Sequence, residues 1–233
     1  MKRFYKKSVA APVAGGWQVM LDGRGVKTQR HRAQIVPGEA LALALAAEWA
    51  AQAGEIKPAS FVLRDMADYA LDVVEADREG AIKALLPYAE SDTLCYRAET
   101  GDPLHRRQIT MWEPLLTAAE HRWDIAFSRT SGIMHLAQPP TTLARLQAVL
   151  AAHDSFTLAA LRSLSGLSAS LTIALAAIEQ EADGSALWDA ANLEEDFQTD
   201  QWGQDAEAIQ LRELRFRDFC GAIHFARLAL IAD

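Results

Sequence analysis

The feature that most constrains the fold is a change of hydrophobic period near Pro37. Before it, Trp17, Val19 and Leu21 alternate with their neighbours, and Asp22-Gly23 is a dipeptide typical of tight hairpin turns. A period of two predicts half-buried strands, so this part should form a small antiparallel β unit. The strands predicted here are residues 3–9, 17–21, 26–28 and 34–36.

After Pro37 the chain is rich in alanine and follows a helical period. Leu41, Leu45 and Trp49 recur at steps of four, which places them on one helical face. Asp102-Pro103 is a typical start for a long helix, which we expect to reach Trp123. The remaining expectations are a lone strand at 133–136, a central buried helix at 167–178, a helix from 183 to about 199 and a last helix over 205–230.

These patterns predict an α+β protein with a small antiparallel β-rich N-terminal domain followed by an all-helical C-terminal domain. We place the domains at residues 1–37, with an alternative boundary near 60, and at residues 38–233. The chain has 233 residues, enough to bury a sizeable core. Its mean hydropathy is −0.04, and no apolar run reaches about 18 residues, which argues against membrane insertion.

Only Cys95 and Cys220 are present, far apart and without a CxxC pattern, which favours a reducing compartment. Gly23-Arg24-Gly25 lacks both the spacing and the following helix of a phosphate loop. The histidines show no spacing that pairs two ligands on one helical face. No GxSxG nucleophile elbow is present. We therefore expect no cofactor and no metal, and we interpret Cys95 as a structural thiol.

The net charge of −8 is unevenly distributed along the chain. Residues 1–36 hold eight basic side chains and one acid, whereas the remainder holds 15 basic and 30 acidic groups. Residues 179–207, called the acidic segment below, contain ten carboxylates and no Lys or Arg. Because the acidic remainder repels phosphate, we do not expect nucleic-acid binding, although the basic end leaves open an anion-binding or small-ligand module.

Two groups of carboxylates are candidates for function. Asp65, Asp68 and Asp72 fall at i, i+3 and i+7 on one helical face. Such a stripe is more typical of a solvated surface, but it leaves a hydrolase or lyase with a helical-domain pocket as an alternative hypothesis. In the acidic segment, acids alternate with aromatic side chains. That composition fits a protein-binding surface or the inner face of an amphipathic helix, and the sequence does not decide between them.

Several stretches in order along nearly the whole chain resemble the assembly chaperone of the F-type ATP synthase that binds its unassembled alpha subunit. The stretches are GWQV at 16–19, LDGR at 21–24, VKT at 26–28, AAEW at 46–49, DTLCYRA at 92–98, RQ at 107–108, WEPLL at 112–116, LEEDFQ at 193–198, WG at 202–203 and DAEA at 205–208. The resemblance implies a β-rich domain followed by a helical domain, in agreement with the periodicity.

The resemblance also implies function. It implies a non-enzyme that holds the alpha subunit and prevents its aggregation until the beta subunit replaces it. We expect the free protein to be monomeric. The lack of a presequence pattern favours the bacterial cytoplasm, with the mitochondrial matrix as the expectation if the chain is a mature organelle protein. In the family, acidic residues shortly before the Trp-Gly pair are important for function. The implied partner-binding residues are Glu194, Glu195, Asp196, Trp202, Asp205 and Glu207.

Overall fold

The computed structural model describes residues 1–132, 134–203 and 205–230 and confirms the predicted α+β fold. Antiparallel strands come first and are followed mainly by helices. The chain divides into two compact units, one of residues 1–81, 154–160 and 221–233 and the other of residues 82–153 and 161–220. The predicted domain boundary at residue 37 stays a prediction.

The N-terminal sheet has β2 (Gly16–Leu21) at its centre. Its partners, all antiparallel, are β1 (Ser8–Val13), β3 (Arg24–Gly25) and β4 (Ile35–Val36). The turn between β2 and β3 is Asp22-Gly23, with φ of 48° and 82°. Two positive φ angles are what a two-residue hairpin requires, and this confirms the sequence interpretation of the dipeptide.

The first strand begins later than predicted, at Ser8 rather than at residue 3. Arg3 is engaged elsewhere, because its backbone N–H donates to the carbonyl of Gly54 at 2.8 Å and its guanidinium donates to the carbonyl of Gln52 at 2.7 Å. The strand continues instead to Val13 and turns back through residues 14 and 15. The strand predicted at 26–28 is wrong in its position, because β3 covers Arg24–Gly25 and Lys27 forms only an isolated bridge with Ala33. The strand predicted at 34–36 is shorter than expected, at Ile35–Val36.

Helices account for most of the remaining described residues. Their bounds, in chain order, are α1 Glu39–Ala50, α2 Val62–Tyr69, α3 Arg78–Lys83, α4 Pro87–Glu90, α5 Pro103–Trp123, α6 Pro140–Ala151, α7 Ser155–Ser168, α8 Leu171–Ala177, α9 Gly184–Ala191, α10 Leu193–Trp202 and α11 Ala206–Leu230. A π-helical turn, Ala70–Val74, extends α2. A short parallel pair, β5 (Tyr96–Arg97) and β6 (Thr130–Ser131), lies beside them.

In the first unit, α1 packs against β1 and β2. Leu41, Leu45 and Trp49 are all buried, as their spacing predicts. In the second unit, α5 supplies the fully buried Trp112 and Leu116. Trp112 Nε1 donates to the carbonyl of Ala190 at 2.8 Å, which ties α5 to the end of α9. Burial of a large aromatic side chain with its donor satisfied is strongly stabilising.

The predicted central helix over 167–178 is wrong in its start. The chain breaks after α7, where Ala169 has a φ of +51°, and α8 begins at Leu171. The cause is the Ser170 hydroxyl, which caps the new helix by accepting from the N–H of Ile173. Of the strand predicted at 133–136, Ile133 lies outside the described residues, and residues 134–136 adopt no regular structure.

None of the helices within the described ranges combines the length and the hydropathy that crossing a lipid bilayer requires.

Candidate partner-binding surface

The acidic segment folds into two short helices rather than the single helix predicted over 183–199. Asp183 caps α9 by accepting hydrogen bonds from the N–H groups of Ser185 and Ala186. Asn192 then interrupts the helix, and its side-chain amide donates to the carbonyl of Trp188 at 2.8 Å. Helix α10 starts at Leu193 with three acids in its first turn. Carboxylates there are favoured by the helix dipole.

Glu194, a predicted partner-binding residue, is held by a buried side chain of α5. The amide of the fully buried Gln108 donates to the Glu194 carboxylate at 2.7 Å and accepts from the N–H of Ala98 at 2.8 Å. Desolvation raises the pKa of Glu194, and the hydrogen bond from Gln108 opposes that shift. The position of Glu194 is therefore fixed by the fold.

Glu195 and Asp196 face arginines of α11. Asp196 forms a two-oxygen ion pair with Arg212, with contacts of 2.5 and 2.9 Å. Glu195 lies 3.9 Å from Arg215, and both side chains remain about 40% exposed. Exposed pairs of this length contribute little to stability. Asp196 is therefore partly neutralised within the chain, whereas Glu195 remains available to a partner.

The aromatic side chains of the acidic segment divide into core and exposed positions, so the inner-face interpretation holds for some of them and not for others. Trp188 is buried against Phe216 and Phe219, at ring-centre distances of 5.6 and 5.4 Å. Phe197 is half-buried beneath the guanidinium of Arg107, 5.0 Å from the ring centre. Trp202, at the end of α10, is 84% exposed. Only Trp202 among these rings has the exposure of a binding anchor.

Asp205 and Glu207 start the last helix. Asp205 accepts a hydrogen bond from the N–H of Ala208 at 2.7 Å, which gives it a capping role in addition to the predicted binding role. Glu207 is exposed and lies on the same helical face as Leu211 and Leu214, at i, i+4 and i+7. Both leucines are exposed, at 58% and 49%. These three side chains form an exposed acidic and apolar face over residues 207–214 of α11.

A groove of about 500 Å³ lies beside Asp196, between α5, α9 and α10. Met111 and Leu193 supply its apolar lining, Arg106 and Arg107 its positive charge, and Asp189 and Asp196 its negative charge. Arg107 also pairs with Asp200 at 2.7 Å. A groove with this lining suits an apolar side chain flanked by charged ones.

Sequence reasoning missed the arginines and leucines that complete this surface. Arg212 and Arg215 occur three residues apart in α11, opposite the acids, and Leu211 and Leu214 repeat at the same step. That repeat in a charged helix was the available signal for an exposed apolar face. The structure unites the predicted acids Glu194, Glu195 and Asp196 on one helical turn. By helix geometry Trp202 lies about 12 Å further along α10 from Glu194.

The other carboxylate group does not form a solvated face, so that expectation is wrong for Asp68 and Asp72. Asp72 is buried and accepts hydrogen bonds from the Thr28 hydroxyl at 2.7 Å and the Arg30 N–H at 3.0 Å. Asp68 is buried and accepts from the Gln34 amide at 2.7 Å. Burial raises the pKa of Asp68. These acids join the loop between the strands to the helical segment after it.

The cysteines and possible metal ligands add no further centre in the described part of the chain. Cys95 is buried, and desolvation raises its pKa to about 12, so the thiolate nucleophile is strongly disfavoured. Across residues 1–132, 134–203 and 205–230, no three His, Cys, Asp or Glu side chains cluster as a metal site requires.

Comparison with known proteins identifies the relatives of this chain. The sequence profile of the ATP12 chaperone protein family matches residues 2–120. A protein of Schizosaccharomyces pombe named mitochondrial atp12 is 25% identical over 228 residues, covering 92% of this chain and 78% of that protein. The crystal structure of Atp12 from Paracoccus denitrificans has a TM-score of 0.89 and 32% identity, and the match covers 98% of each chain. The crystal structure of a putative chaperone from Agrobacterium tumefaciens has a TM-score of 0.91 and 33% identity, and the match covers 97% of this chain and 85% of that one.

The family match and the α+β fold shared over nearly the whole chain place the protein in a class of chaperones. The chain belongs to the ATP12 family, the assembly chaperones of the F1 ATP synthase.

Proposed function

We propose that the protein binds the unassembled alpha subunit of the F1 ATP synthase and prevents its aggregation until the beta subunit replaces it, without acting as an enzyme. The family supports the role in assembly. An unpaired subunit of an obligate ring exposes a large apolar interface, which a chaperone must cover reversibly. The observation that carries the proposal is the exposed Trp202 at the end of an acidic helix.

The binding residues proposed are Glu194, Glu195, Asp196, Trp202, Asp205 and Glu207, together with Leu211 and Leu214. Exposed apolar side chains supply binding energy, and the acids around them select partners with complementary charge. Of these acids, Asp196 is held in place by its ion pair with Arg212, whereas Glu195 has only the long contact with Arg215. Such a surface favours moderate affinity, so the beta subunit can displace the chaperone through the greater stability of the finished ring.

The rival hypothesis of a carboxylate-dependent hydrolase or lyase has less support. Asp72 uses its carboxylate oxygens to hold Thr28 and Arg30, which is a structural role. Some of the basic N-terminal residues are engaged in hydrogen bonds within the fold. Arg30 donates to the carbonyl of Asp72, and Arg32 donates to the carbonyl of Leu71. These contacts weaken the anion-binding hypothesis for those two arginines.

Co-expression tests the proposed function. The alpha and beta subunits are produced with and without this protein, and soluble alpha subunit is measured. We expect soluble alpha to rise in its presence and Glu195→Lys to abolish the gain, because the substitution reverses a charge within the proposed acidic surface. Glu90→Lys, at an exposed helical glutamate outside the proposed surface, is the matched control. Equal amounts of soluble alpha with and without the protein would refute the proposal.

The folded state of each variant is measured separately by thermal unfolding. Glu195 is about 40% exposed and has only the long contact with Arg215, so Glu195→Lys should cost no more than about 1 kcal/mol. A variant that melts early would instead assign a structural role to Glu195. A variant that restores alpha as well as the wild type would remove Glu195 from the binding surface.

A further inference from the structure

Gln108 of α5 is a fully buried amide that reaches the proposed binding surface through Glu194. Its Oε1 atom accepts from the backbone N–H of Ala98 at 2.8 Å, and its Nε2 atom donates to the Glu194 carboxylate at 2.7 Å. A backbone N–H only donates and an ionised carboxylate only accepts, so a single orientation of the amide satisfies both contacts. Gln108 therefore holds Glu194 from a fixed point directly after β5.

Glu194 differs from its neighbouring acids in the charge of its partner. The two acids that follow it in α10 face arginines of α11, whose positive charge offsets theirs. Gln108 is neutral, and within the described residues Glu194 forms no ion pair. A neutral donor fixes the position of a carboxylate without cancelling its charge. Glu194 therefore carries the least compensated negative charge of this helical turn.

The contact with Gln108 occupies only one oxygen of the Glu194 carboxylate. No second donor to this carboxylate is found in the described part of the chain, and Glu194 is exposed. Both oxygens of a carboxylate accept hydrogen bonds, so the second oxygen remains for a donor from outside. Because the first oxygen is already held, the side chain loses less rotamer freedom when a partner binds. Glu194 is therefore a preorganised, charged acceptor.

We propose that Gln108 is a positioning residue for client binding, which holds Glu194 by one oxygen so that the other accepts from a cationic side chain of the client. Gln108 is fully buried and acts through Glu194. A carboxylate held in one place selects a guanidinium or ammonium group at a matching position, through a charge-assisted hydrogen bond. For the identity of the client, the alpha subunit, the inference rests on the proposed function.

A double-mutant cycle in client binding tests the proposal on the full protein. Gln108→Met, Glu194→Ala and the combined variant are immobilised, and retention of alpha subunit from cell-free translation is titrated. We expect Gln108→Met to weaken retention about fivefold, as ordering one rotamer-rich side chain on binding costs. The same substitution should cause no further loss once Glu194 is replaced by alanine. An equal loss from Gln108→Met in both backgrounds would overturn the proposal.

Gln138 offers a matched control, because it is also a buried amide with two hydrogen bonds. Its Oε1 atom accepts from the N–H of Ser128 at 2.8 Å, and its Nε2 atom donates to the carbonyl of Ser128 at 3.0 Å. Gln138→Met removes as many buried hydrogen bonds as Gln108→Met, and thermal unfolding compares their stabilities. Only Gln108→Met should weaken client retention. Similar weakening by both variants would assign Gln108 a role in stability alone.

Glu194→Asp tests the same contact from the exposed side, without disturbing the bond between Gln108 and Ala98. The aspartate keeps the negative charge but is one methylene shorter, so its carboxylate no longer reaches Gln108. We expect retention of alpha subunit to fall about fivefold, as in Gln108→Met, although the charge is unchanged. Undiminished retention by Glu194→Asp would show that the position of the carboxylate is unimportant and would overturn the proposal.

The titration of Glu194 in the free protein measures the contact without a client. The bond from Gln108 lowers the pKa of Glu194, against the effect of desolvation. Followed by the ¹³C shift of its carboxyl group, that pKa should rise in Gln108→Met and stay unchanged in Gln138→Met. No rise in Gln108→Met would refute the positioning role. If the wild type fails to retain alpha subunit, the proposed function fails, and the role in client binding fails with it. If the wild type and Gln108→Met retain it equally, only the positioning role fails.

Discussion

Two groups of carboxylates in this chain have the same chemistry and opposite surroundings. Asp68 and Asp72 are buried in the N-terminal unit, where they accept hydrogen bonds from the loop that follows β3. Glu194, Glu195 and Asp196 lie on one turn of α10, at exposed or half-exposed positions, and their protein contacts include arginines near solvent. The contrast teaches that position in the fold decides whether an acid stabilises structure or remains available to a partner. The predictions below test that difference through stability.

The largest effect is expected for Asp72→Ala. This substitution leaves the Thr28 hydroxyl and the Arg30 N–H without their acceptor, and it should lower the free energy of unfolding by about 3 kcal/mol. Urea denaturation measures the change. Asp65→Ala, at the exposed acid two turns earlier, is the control and should cost no more than about 1 kcal/mol. Equal losses of unfolding free energy in the two variants would contradict the difference drawn between buried and exposed acids.

Asp68 should make stability depend on pH in a direction opposite to that of a salt-bridged acid. Burial raises its folded-state pKa above the ordinary 3.8, so ionisation costs the folded state more than the unfolded chain. Its contribution to stability is therefore greatest below about pH 4 and falls as the pH rises through the folded pKa. Asp68→Asn removes this loss and keeps an acceptor for Gln34.

Unfolding measured from pH 3.5 to neutral pH checks this prediction for Asp68. We expect Asp68→Asn to gain on the wild type with rising pH, by an amount of the order of 1 kcal/mol at neutral pH. Asp65→Asn, at the exposed acid on the same helix, corrects for general charge effects. A gain for Asp68→Asn that does not change with pH would show that ionisation of Asp68 carries no cost in the fold.

Local sequence signals predicted those parts of the fold whose causes are local. The period of Leu41, Leu45 and Trp49 predicted α1, and Asp102 caps α5 by accepting from the N–H of Leu104 at 2.7 Å. The break after α7 has one local cause, the Ser170 cap, and one partner that is distant in sequence. Asp92, fully buried, accepts from the N–H of Thr172, eighty residues away. A helix end stabilised from so far along the chain leaves no local pattern.

For the candidate surface, the sequence likewise indicated the acids but not the side chains that pair with them. The resemblance pointed to the acids of residues 193–207, but their partners come from α5 and α11. Gln108 reaches Glu194 across 86 positions of sequence, and Arg107 reaches Asp200 across 93. Spacing along one helix cannot show such pairs, because they depend on how helices pack. The assignment of these residues to client binding stays a proposal.

The smallest effect is expected at the ion pair between Asp196 and Arg212, which joins α10 to α11. Both side chains are partly exposed, at 37% and 21%, so the pair should stabilise the fold by no more than about 1 kcal/mol. A double-mutant cycle with Asp196→Ala, Arg212→Ala and the combined variant isolates that coupling from the effect of each substitution alone. Urea denaturation at low and high salt measures it, and salt should reduce it.

The same cycle also separates a structural from a binding role for Asp196. If Asp196 serves mainly to hold α10 on α11, both single variants should weaken recovery of soluble alpha subunit alike. If its carboxylate contacts the client directly, Asp196→Ala should impair recovery, while Arg212→Ala, which frees that carboxylate, should preserve or improve it. A coupling of about 3 kcal/mol, as expected for a buried pair, would place Asp196 with Asp72 and end the distinction between the two groups of acids.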